Sequence, residues 1–309
     1  MEITTLSWSG WPCLRLRVGE LELRIPTEFG PRILFAGWVG GPNLLGLITA
    51  DIGESGGDAH RLYGGHRLWH APEDPQRTYV PDNEAPRIQR EENALILEQA
   101  TEAQTGIQKT LRISADESGQ GFLLRHELQN TTLWPIRLAP WALTVMASGG
   151  VGILPLPPRG QHPRDLLPNT RLVFWPYVNL QDPRWGWGQC HLRLQQDPAQ
   201  PSAQKVGALV PAGWLAYAVQ GSLFVKTFPY EGAARYPDDG CNAEMFVNGD
   251  FLELESLGAI TELPPGARTA HEEAWFFLRD VPTPQSEADI ATSILPRLAQ
   301  LGLPCGGSR

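Results

Sequence analysis

The stretch AEMFVNGDFLELES, residues 243–256, decides the fold class. Two apolar-rich runs flank an Asn-Gly pair, and apolar and polar residues alternate in LELES. Alternation with a period of two is typical of strands with one buried face, and Asn-Gly between such runs indicates a type I′ hairpin turn. The stretch therefore predicts two adjacent antiparallel strands. Glu253 and Glu255 share a face of the second strand because they are two residues apart.

The same alternation recurs along most of the chain. Turn residues interrupt it regularly, since the 309 residues include 32 Gly and 28 Pro. One such interruption, ADESGQG at residues 115–121, predicts a hairpin loop. Many short alternating strands in series favour an all-β sandwich. Representative runs are CLRLRV (13–18), ELELRI (20–25), GFLLRHELQN (121–130), RLAPWALTVMA (137–147) and EEAWFFLR (272–279).

A helix is predicted only in the tail. Ser286 and Asp289 form a capping-box pattern before apolar residues at helical spacing, and Pro296 predicts a break near residue 295. We expect a β-sandwich domain over residues 1–282 and a helical tail over 283–309 that covers an edge or end of a sheet. The Pro-rich segment 152–190 interrupts the strands, and its aromatic residues are expected to order it or to wall a cleft.

Composition narrows the function classes. The net charge of -9 argues against nucleic acid as a partner, because nucleic-acid-binding surfaces need an excess of cations. The four cysteines at 13, 190, 241 and 305 have no metal-knuckle spacing and fit a reducing compartment. No leader pattern or membrane-length apolar run is present. We expect a soluble cytoplasmic protein without a membrane partner.

Four stretches together resemble the galactose mutarotase-like superfamily, the large antiparallel β-supersandwich that includes aldose 1-epimerases. They are FGPRIL (29–34), LYGGHRLWHAPE (62–73), ELQNTTLWPIRLAPWALTV (127–145) and FLELESLGAITELPPGARTAHEEAWFFL (251–278). The resemblance spans roughly residues 5–280, and the GGHRLW-x-APE variant is similar to a divergent branch of the superfamily. It implies a sugar site on the concave sheet and acid/base opening of a sugar ring.

The resemblance also implies roles for individual residues. Glu255 aligns with the family's catalytic base. The family takes its general acid from a histidine after the Asn-Thr…Pro segment, where this chain has Trp141 and no histidine. His66 and His70 are therefore the candidate acids. The candidate sugar-binding residues are Arg32, Arg61, Arg67, Trp69, Trp141, Tyr230 and Glu253.

The stretch RLYGGHRLWHAPE (61–73) permits three interpretations. On a helix, His66, His70 and Glu73 would form a metal set, but Gly-Gly and Pro disfavour a helix, and in a strand the two histidines are ~13 Å apart. Alternatively, the polar side chains hydrogen-bond their own loop. The interpretation we favour is a sugar-binding or catalytic loop with no metal and no cofactor.

Three functions remain open at this point. The first is an aldose 1-epimerase-like isomerase acting on a sugar or a sugar derivative, for instance a phosphorylated one. The second is a non-catalytic carbohydrate-binding protein on the same fold, since a fold does not determine a function. The third is a lyase or other carbohydrate-active variant that uses Tyr63 or Tyr230. In each case the partner is a small-molecule sugar and the protein is a monomer or homodimer.

Overall fold

The structure, a computed structural model that describes residues 1–304, is built almost entirely from antiparallel strands. The strands are β1 (Glu2–Trp8), β2 (Trp11–Val18), β3 (Leu21–Pro26), β4 (Phe35–Trp38), β5 (His66–Ala71), β6 (Arg87–Arg90), β7 (Ala94–Glu98), β8 (Ile107–Ala115), β9 (Gly121–Asn130), β10 (Ile136–Met146), β11 (Val151–Pro155), β12 (Leu172–Phe174), β13 (Trp185–Trp187), β14 (His191–Gln195), β15 (Gln204–Ala208), β16 (Trp214–Val219), β17 (Ser222–Thr227), β18 (Ala243–Val247), β19 (Leu252–Leu257), β20 (Thr261–Leu263) and β21 (Arg268–Arg279). A single 3-10 turn, Thr49–Asp51, precedes the tail helices within this range.

Two large sheets form a sandwich. The seven-stranded sheet has the order β12-β15-β18-β19-β10-β20, with β5 also paired to β10. The ten-stranded sheet has the order β13-β14-β11-β16-β17-β21-β9-β8-β7-β6. Apolar side chains from the facing sides of both sheets form one buried cluster, which β2, β3 and β4 of a separate four-stranded sheet extend at one side. The predicted all-β, galactose mutarotase-like supersandwich is confirmed.

The hairpin that opens the sequence analysis forms as predicted, but its turn differs. β18 and β19 are adjacent and antiparallel, with Val247 opposite Leu252. Neither Asn248 nor Gly249, the central residues of the predicted turn, has the positive φ that a type I′ turn requires. The Asn248 side chain instead accepts hydrogen bonds from the backbone of Asp250 and Phe251, both at 2.9 Å. The type I′ prediction is wrong because this side chain supplies the turn geometry. The predicted loop at 115–121 does join β8 and β9, which pair antiparallel.

The tail is helical and packs on the outer face of the ten-stranded sheet. Ser286 and Asp289 form the predicted capping box, α1 (Glu287–Asp289) continues into a π-helical turn (Ile290–Ile294), and α2 (Leu295–Gln300) starts with Pro296 in its first turn. Ile290, Ile294 and Leu298 are buried against strands β11, β16 and β17. Cys305 and the rest of the predicted tail lie outside the described residues. Across residues 1–304, none of the helices has the length and apolar character to cross a bilayer.

Candidate functional site

The seven-stranded sheet has two chemically different faces. Along β10, Ala142 and Thr144 face the ten-stranded sheet, so Trp141 and Leu143 project from the other face. Leu143 lies opposite both Arg67 of β5 and Glu255 of β19. These charged side chains therefore share the face that points away from the sandwich interior, which we call the cleft face.

The floor of the site is a buried hydrogen-bonded group on the cleft face. Glu255 Oε2 accepts a hydrogen bond from Trp141 Nε1 at 2.8 Å and another from Lys205 Nζ at 3.0 Å. The same ammonium lies 2.7 Å from Glu244 Oε2. Glu244 and Glu255 are direct neighbours on paired strands, and both are fully buried. Glu255 Oε1 has no hydrogen-bond partner among the described residues.

Lys205 is the charged group that this floor presents. Its Nζ lies 4.8 Å from the ring centre of Trp141 and 4.6 Å from that of Trp175, which is cation–π geometry. Burial alone would lower the pKa of the Lys205 ammonium, but the carboxylates of Glu244 and Glu255 outweigh burial and raise that pKa well above its usual value. The amine is therefore protonated at neutral pH.

A second charged pair lies along the same face. Arg67 is 3.5 Å from Glu253 Oε1, and its guanidinium covers the Trp69 ring at 4.0 Å. Trp69 in turn meets Trp141 edge to face at 5.3 Å. Burial raises the pKa of Glu253 to about 7 although Arg67 opposes it, so this carboxyl titrates near neutral pH.

A cavity of about 340 Å³, which we call the cleft, opens above this floor. Trp141, Trp175 and Lys205 line it together with wall residues from two loops. One wall contains Glu73, which accepts a hydrogen bond from the Tyr79 hydroxyl. The remaining wall residues are Pro72, Pro75, Tyr79 and Asp238. Burial raises the pKa of the Asp238 carboxyl above its ordinary value, which makes the carboxylate a stronger base.

Comparisons with known proteins show which known fold this chain shares. No family model matches the chain and no curated protein matches it in sequence. Solved structures do match. The Slr1438 protein from Synechocystis has a TM-score of 0.59 at 10% identity, over 89% of this chain and 99% of that chain. Galactose mutarotase-like proteins from Lactobacillus casei and Clostridium acetobutylicum each have a TM-score of 0.54, at 10% and 11% identity; the matches cover 86% and 90% of this chain and 100% and 98% of those chains, respectively. The protein has the galactose mutarotase-like fold.

The mutarotase-like sandwich does not bring His66 or His70 to Glu255. Both histidines are buried on the opposite face of β5, paired in register with Thr144 and Pro140 of β10. The period-two alternation that puts Arg67 and Trp69 on the cleft face puts these histidines in the interior. The sheet thus separates both candidate acids from the predicted base.

His66 belongs to a polar network between the two sheets. Its Nε2 lies 2.7 Å from His126 Nε2, and Lys226 Nζ contacts Glu273 Oε1 at 2.6 Å. Ligand atoms of His66, His126 and Glu273 lie within 4.8 Å of one another, which is the spacing of a metal site. However, the Lys226 ammonium already neutralises the carboxylate, and the histidines already hydrogen-bond each other. We therefore interpret this network as structural.

The Gly-Gly pair of the mutarotase-like loop serves backbone packing. A Cβ on Gly64 would lie 2.2 Å from the Gly46 carbonyl oxygen, and one on Gly65 would lie 2.1 Å from that of Ile33. Both glycines have positive φ, at 89° and 66°. Side chains are excluded at these positions because neighbouring backbone, not a ligand, occupies the space.

Only some of the predicted sugar-binding residues lie on the cleft face. Arg32 is buried, and Asp82 and backbone carbonyls accept its hydrogen bonds, so the structure does not bring it to the cleft. Arg61 pairs with Asp51 and Glu54, at 3.7 and 3.4 Å. Tyr230 lines a second cavity beside the cleft. Arg67, Trp69, Trp141 and Glu253 do lie together on the cleft face.

Lys205, Glu244 and His60 are among the residues of the site that the sequence analysis missed. Lys205 and Glu244 lie on short strands, where a single charged residue is typical of a solvent-facing position. His60 lies outside any strand, 6.0 Å from the Trp69 ring and 5.2 Å from Tyr79, and its Nε2 lacks a hydrogen-bond partner within residues 1–304. Nothing in the local sequence pattern marks His60 as part of the site.

The buried histidines predict strong acid sensitivity. Burial lowers the pKa of His70 and His271 to about 3 and also lowers that of His66 and His126. Between pH 6.5 and 3 the unfolded chain binds protons that the folded chain excludes, so stability falls as the pH falls. His70 and His271 each contribute a slope of about 1.4 kcal/mol per pH unit in this range, and the lowered pKa values of His66 and His126 act in the same direction.

Urea unfolding at pH 7.5, 6.5 and 5.5 measures this slope. We expect the midpoint to drop steeply below pH 6.5 and the His70→Met variant, which removes one titrating group, to show a shallower dependence. His162→Gln is the control, because His162 is exposed, and it should leave the slope unchanged. A midpoint that is the same at pH 7.5 and 5.5 would refute the neutral state of the buried histidines.

Proposed function

We propose that the protein binds a sugar in the cleft and interconverts its anomers by acid/base catalysis. The single observation that carries this proposal is the Lys205 ammonium, held by two buried carboxylates between two indole rings at the floor of the cleft. The fold shared with galactose mutarotase-like proteins supports the choice of ligand.

The cleft suits a monosaccharide in size and chemistry. Its volume of about 340 Å³ lies at the lower end of the range for small-molecule sites, roughly 300–1,000 Å³. Trp141 and Trp175 offer apolar surface against which the carbon-bound face of a pyranose packs. Asp238 and Glu73 at the walls offer carboxylate oxygens to sugar hydroxyls. Lys205 supplies the complementary donor.

The proposed reaction moves two protons. Asp238 takes the proton of the anomeric hydroxyl while Lys205 donates a proton to the ring oxygen, and the bond between the anomeric carbon and the ring oxygen breaks. The open-chain sugar carries a carbonyl at the former anomeric carbon. Rotation about the adjacent carbon–carbon bond and reversal of both proton transfers give the other anomer.

Glu255 acts in this proposal as the counter-charge of Lys205. The family resemblance assigns it the role of base, but it is fully buried and does not line the cleft, whereas Lys205 and Asp238 do. Its hydrogen bonds with Trp141 Nε1 and Lys205 Nζ fix the position of the ammonium and keep it protonated. We therefore assign Glu255 as a positioning residue.

Proton spectra of freshly dissolved α-anomers of a sugar panel, with and without protein, test the proposal. The wild-type protein is expected to accelerate equilibration of at least one sugar, and Asp238→Asn to lose that acceleration. Glu255→Gln removes one charge next to Lys205 and so lowers the pKa of the ammonium. The rate above the uncatalysed background should then decline at a lower pH than in the wild type.

The outcomes separate the assignments. Equal pH profiles for the wild type and Glu255→Gln would contradict the positioning role of Glu255. Full activity in Asp238→Asn would remove Asp238 as the base. If sugars bind but no sugar in the panel equilibrates faster, the catalytic proposal fails and a carbohydrate-binding function takes its place.

A further inference from the structure

A second cavity, of about 560 Å³, adjoins the cleft, and we call it the arginine cavity. Pro72 and Asp238 line both cavities, so a ligand in one reaches the other without crossing the sheet. Three arginines line this second space: Arg137, Arg171 and Arg235. They outnumber its two acids, Asp238 and Asp239, although the chain as a whole has a net charge of -9.

These arginines differ from most others in the protein. Within residues 1–304, none of the three forms an ion pair or a side-chain hydrogen bond. Elsewhere, arginines such as Arg32, Arg67 and Arg184 are each matched by a carboxylate. Three unmatched guanidinium groups around one cavity form a site complementary to an oxyanion, because each can donate charge-assisted hydrogen bonds.

The strand β10 connects this cavity to the cleft floor. Arg137 and Trp141 are four residues apart on the same face of β10. Their Cα atoms are thus separated by ~13 Å along the strand. A sugar stacked on Trp141 would direct a charged substituent toward Arg137.

The position of Arg171 depends on a glycine. Gly240 has a φ of 95°, and a Cβ at this position would lie 2.0 Å from Arg171 Nη1. The absence of a side chain at residue 240 lets the guanidinium lie directly against the turn that carries Asp238 and Asp239. The backbone thus accommodates this arginine in the wall of the cavity.

From this arrangement we infer that the substrate is an anionic sugar whose oxyanion, a phosphate or a carboxylate, binds Arg137, Arg171 and Arg235 while its ring occupies the cleft. This inference rests on the proposed function for the ring site. It adds the charge of the substrate and the residues that select it.

Calorimetric titration tests the inference with four probes: a hexose 6-phosphate, a hexuronate, the neutral parent hexose and inorganic phosphate. We expect at least one anionic sugar to bind tighter than the neutral hexose by about tenfold or more at low ionic strength, and the difference to shrink as salt is added. Each of Arg137→Ala, Arg171→Ala and Arg235→Ala should weaken that binding by about tenfold and leave the neutral hexose unaffected.

Arg90→Ala is the matched control, because Arg90 is also exposed but lies on β6 and does not line the cavity. Thermal melts confirm that each variant is folded. The phosphate and carboxylate arms decide which oxyanion is preferred. Equal affinity for neutral and anionic sugars, or arginine variants that bind like Arg90→Ala, would overturn the inference.

This inference and the proposed function fail in different ways. Arginine-dependent binding of anionic sugars without anomer interconversion would contradict the catalytic proposal alone. Equally fast interconversion of neutral and anionic hexoses, with rates for the anionic sugars that are insensitive to the three substitutions, would contradict the anionic-substrate inference alone. If inorganic phosphate binds but none of the sugar probes does, the proposed link between the two cavities is refuted.

Discussion

Replacing Glu273 by Ala is expected to lower the free energy of unfolding by about 3–5 kcal/mol, because the change leaves the buried Lys226 ammonium without its counter-charge. Glu273 also accepts hydrogen bonds from Ser256 Oγ at 2.5 Å and Trp275 Nε1 at 2.8 Å. Burial alone would raise the pKa of Glu273, but the Lys226 ammonium outweighs it and holds that pKa well below the usual range. The carboxylate therefore anchors a network that joins both sheets.

Urea denaturation of the variant measures the loss, and the adjacent residue supplies a matched control. Glu272 is exposed and pairs with Arg125 at the surface, so Glu272→Ala should cost less than about 1 kcal/mol. The double variant Lys226→Met/Glu273→Leu should recover part of the loss, since no unpaired charge remains. A loss for Glu273→Ala as small as that for Glu272→Ala would show that the interior tolerates the unpaired ammonium.

The second large effect is expected at Lys205. Lys205→Met removes the proposed proton donor and should reduce the rate of anomer interconversion by about 100-fold or more, the usual contribution of a general acid. Sugar binding should persist at reduced affinity because Trp141 and Trp175 remain. Quenching of tryptophan fluorescence measures binding, and proton spectra measure the rate.

Lys109 provides the control for Lys205. It forms a buried ion pair of the same kind, 2.5 Å from Glu102, but does not line the cleft. Lys109→Met should thus lose stability to a similar extent and keep its activity once folded. If the two variants lose activity in parallel with stability, Lys205 has no catalytic role. Activity retained in Lys205→Met would likewise show that Lys205 has no catalytic role.

The fold was predictable because period-two alternation and turn residues are local signals. The tail helix and its capping box were predictable for the same reason. The turn at 248–251 was not, because an Asn-Gly pair also fits a turn in which the asparagine side chain accepts hydrogen bonds from the backbone of the residues that follow it. Turn type depends on such side-chain contacts as well as on the residue pair.

The site was predictable only in part, because sequence periodicity fixes which residues share a face but not which face is covered. Alternation correctly grouped Glu253 with Glu255 on one face. It equally required His66 and His70 to lie opposite Arg67 and Trp69, a consequence that the family resemblance obscured. Lys205 reads as a solvent-facing residue until the loop containing Trp175 is placed above it.

The buried Lys226 ammonium has a consequence for which segments of the protein can change in sequence without loss of the site. It donates hydrogen bonds to the carbonyl oxygens of Ala142 and Leu254, each at 3.2 Å, and so ties together the two strands whose opposite faces bear Trp141 and Glu255. These hydrogen bonds stabilise β10 and β19, the strands under the cleft, from the interior side of the sheet. New ligand preferences would then arise most readily by exchange of the segments that carry Glu73, Trp175 and Asp238, which can vary without disturbing the strands that hold Lys205 in place.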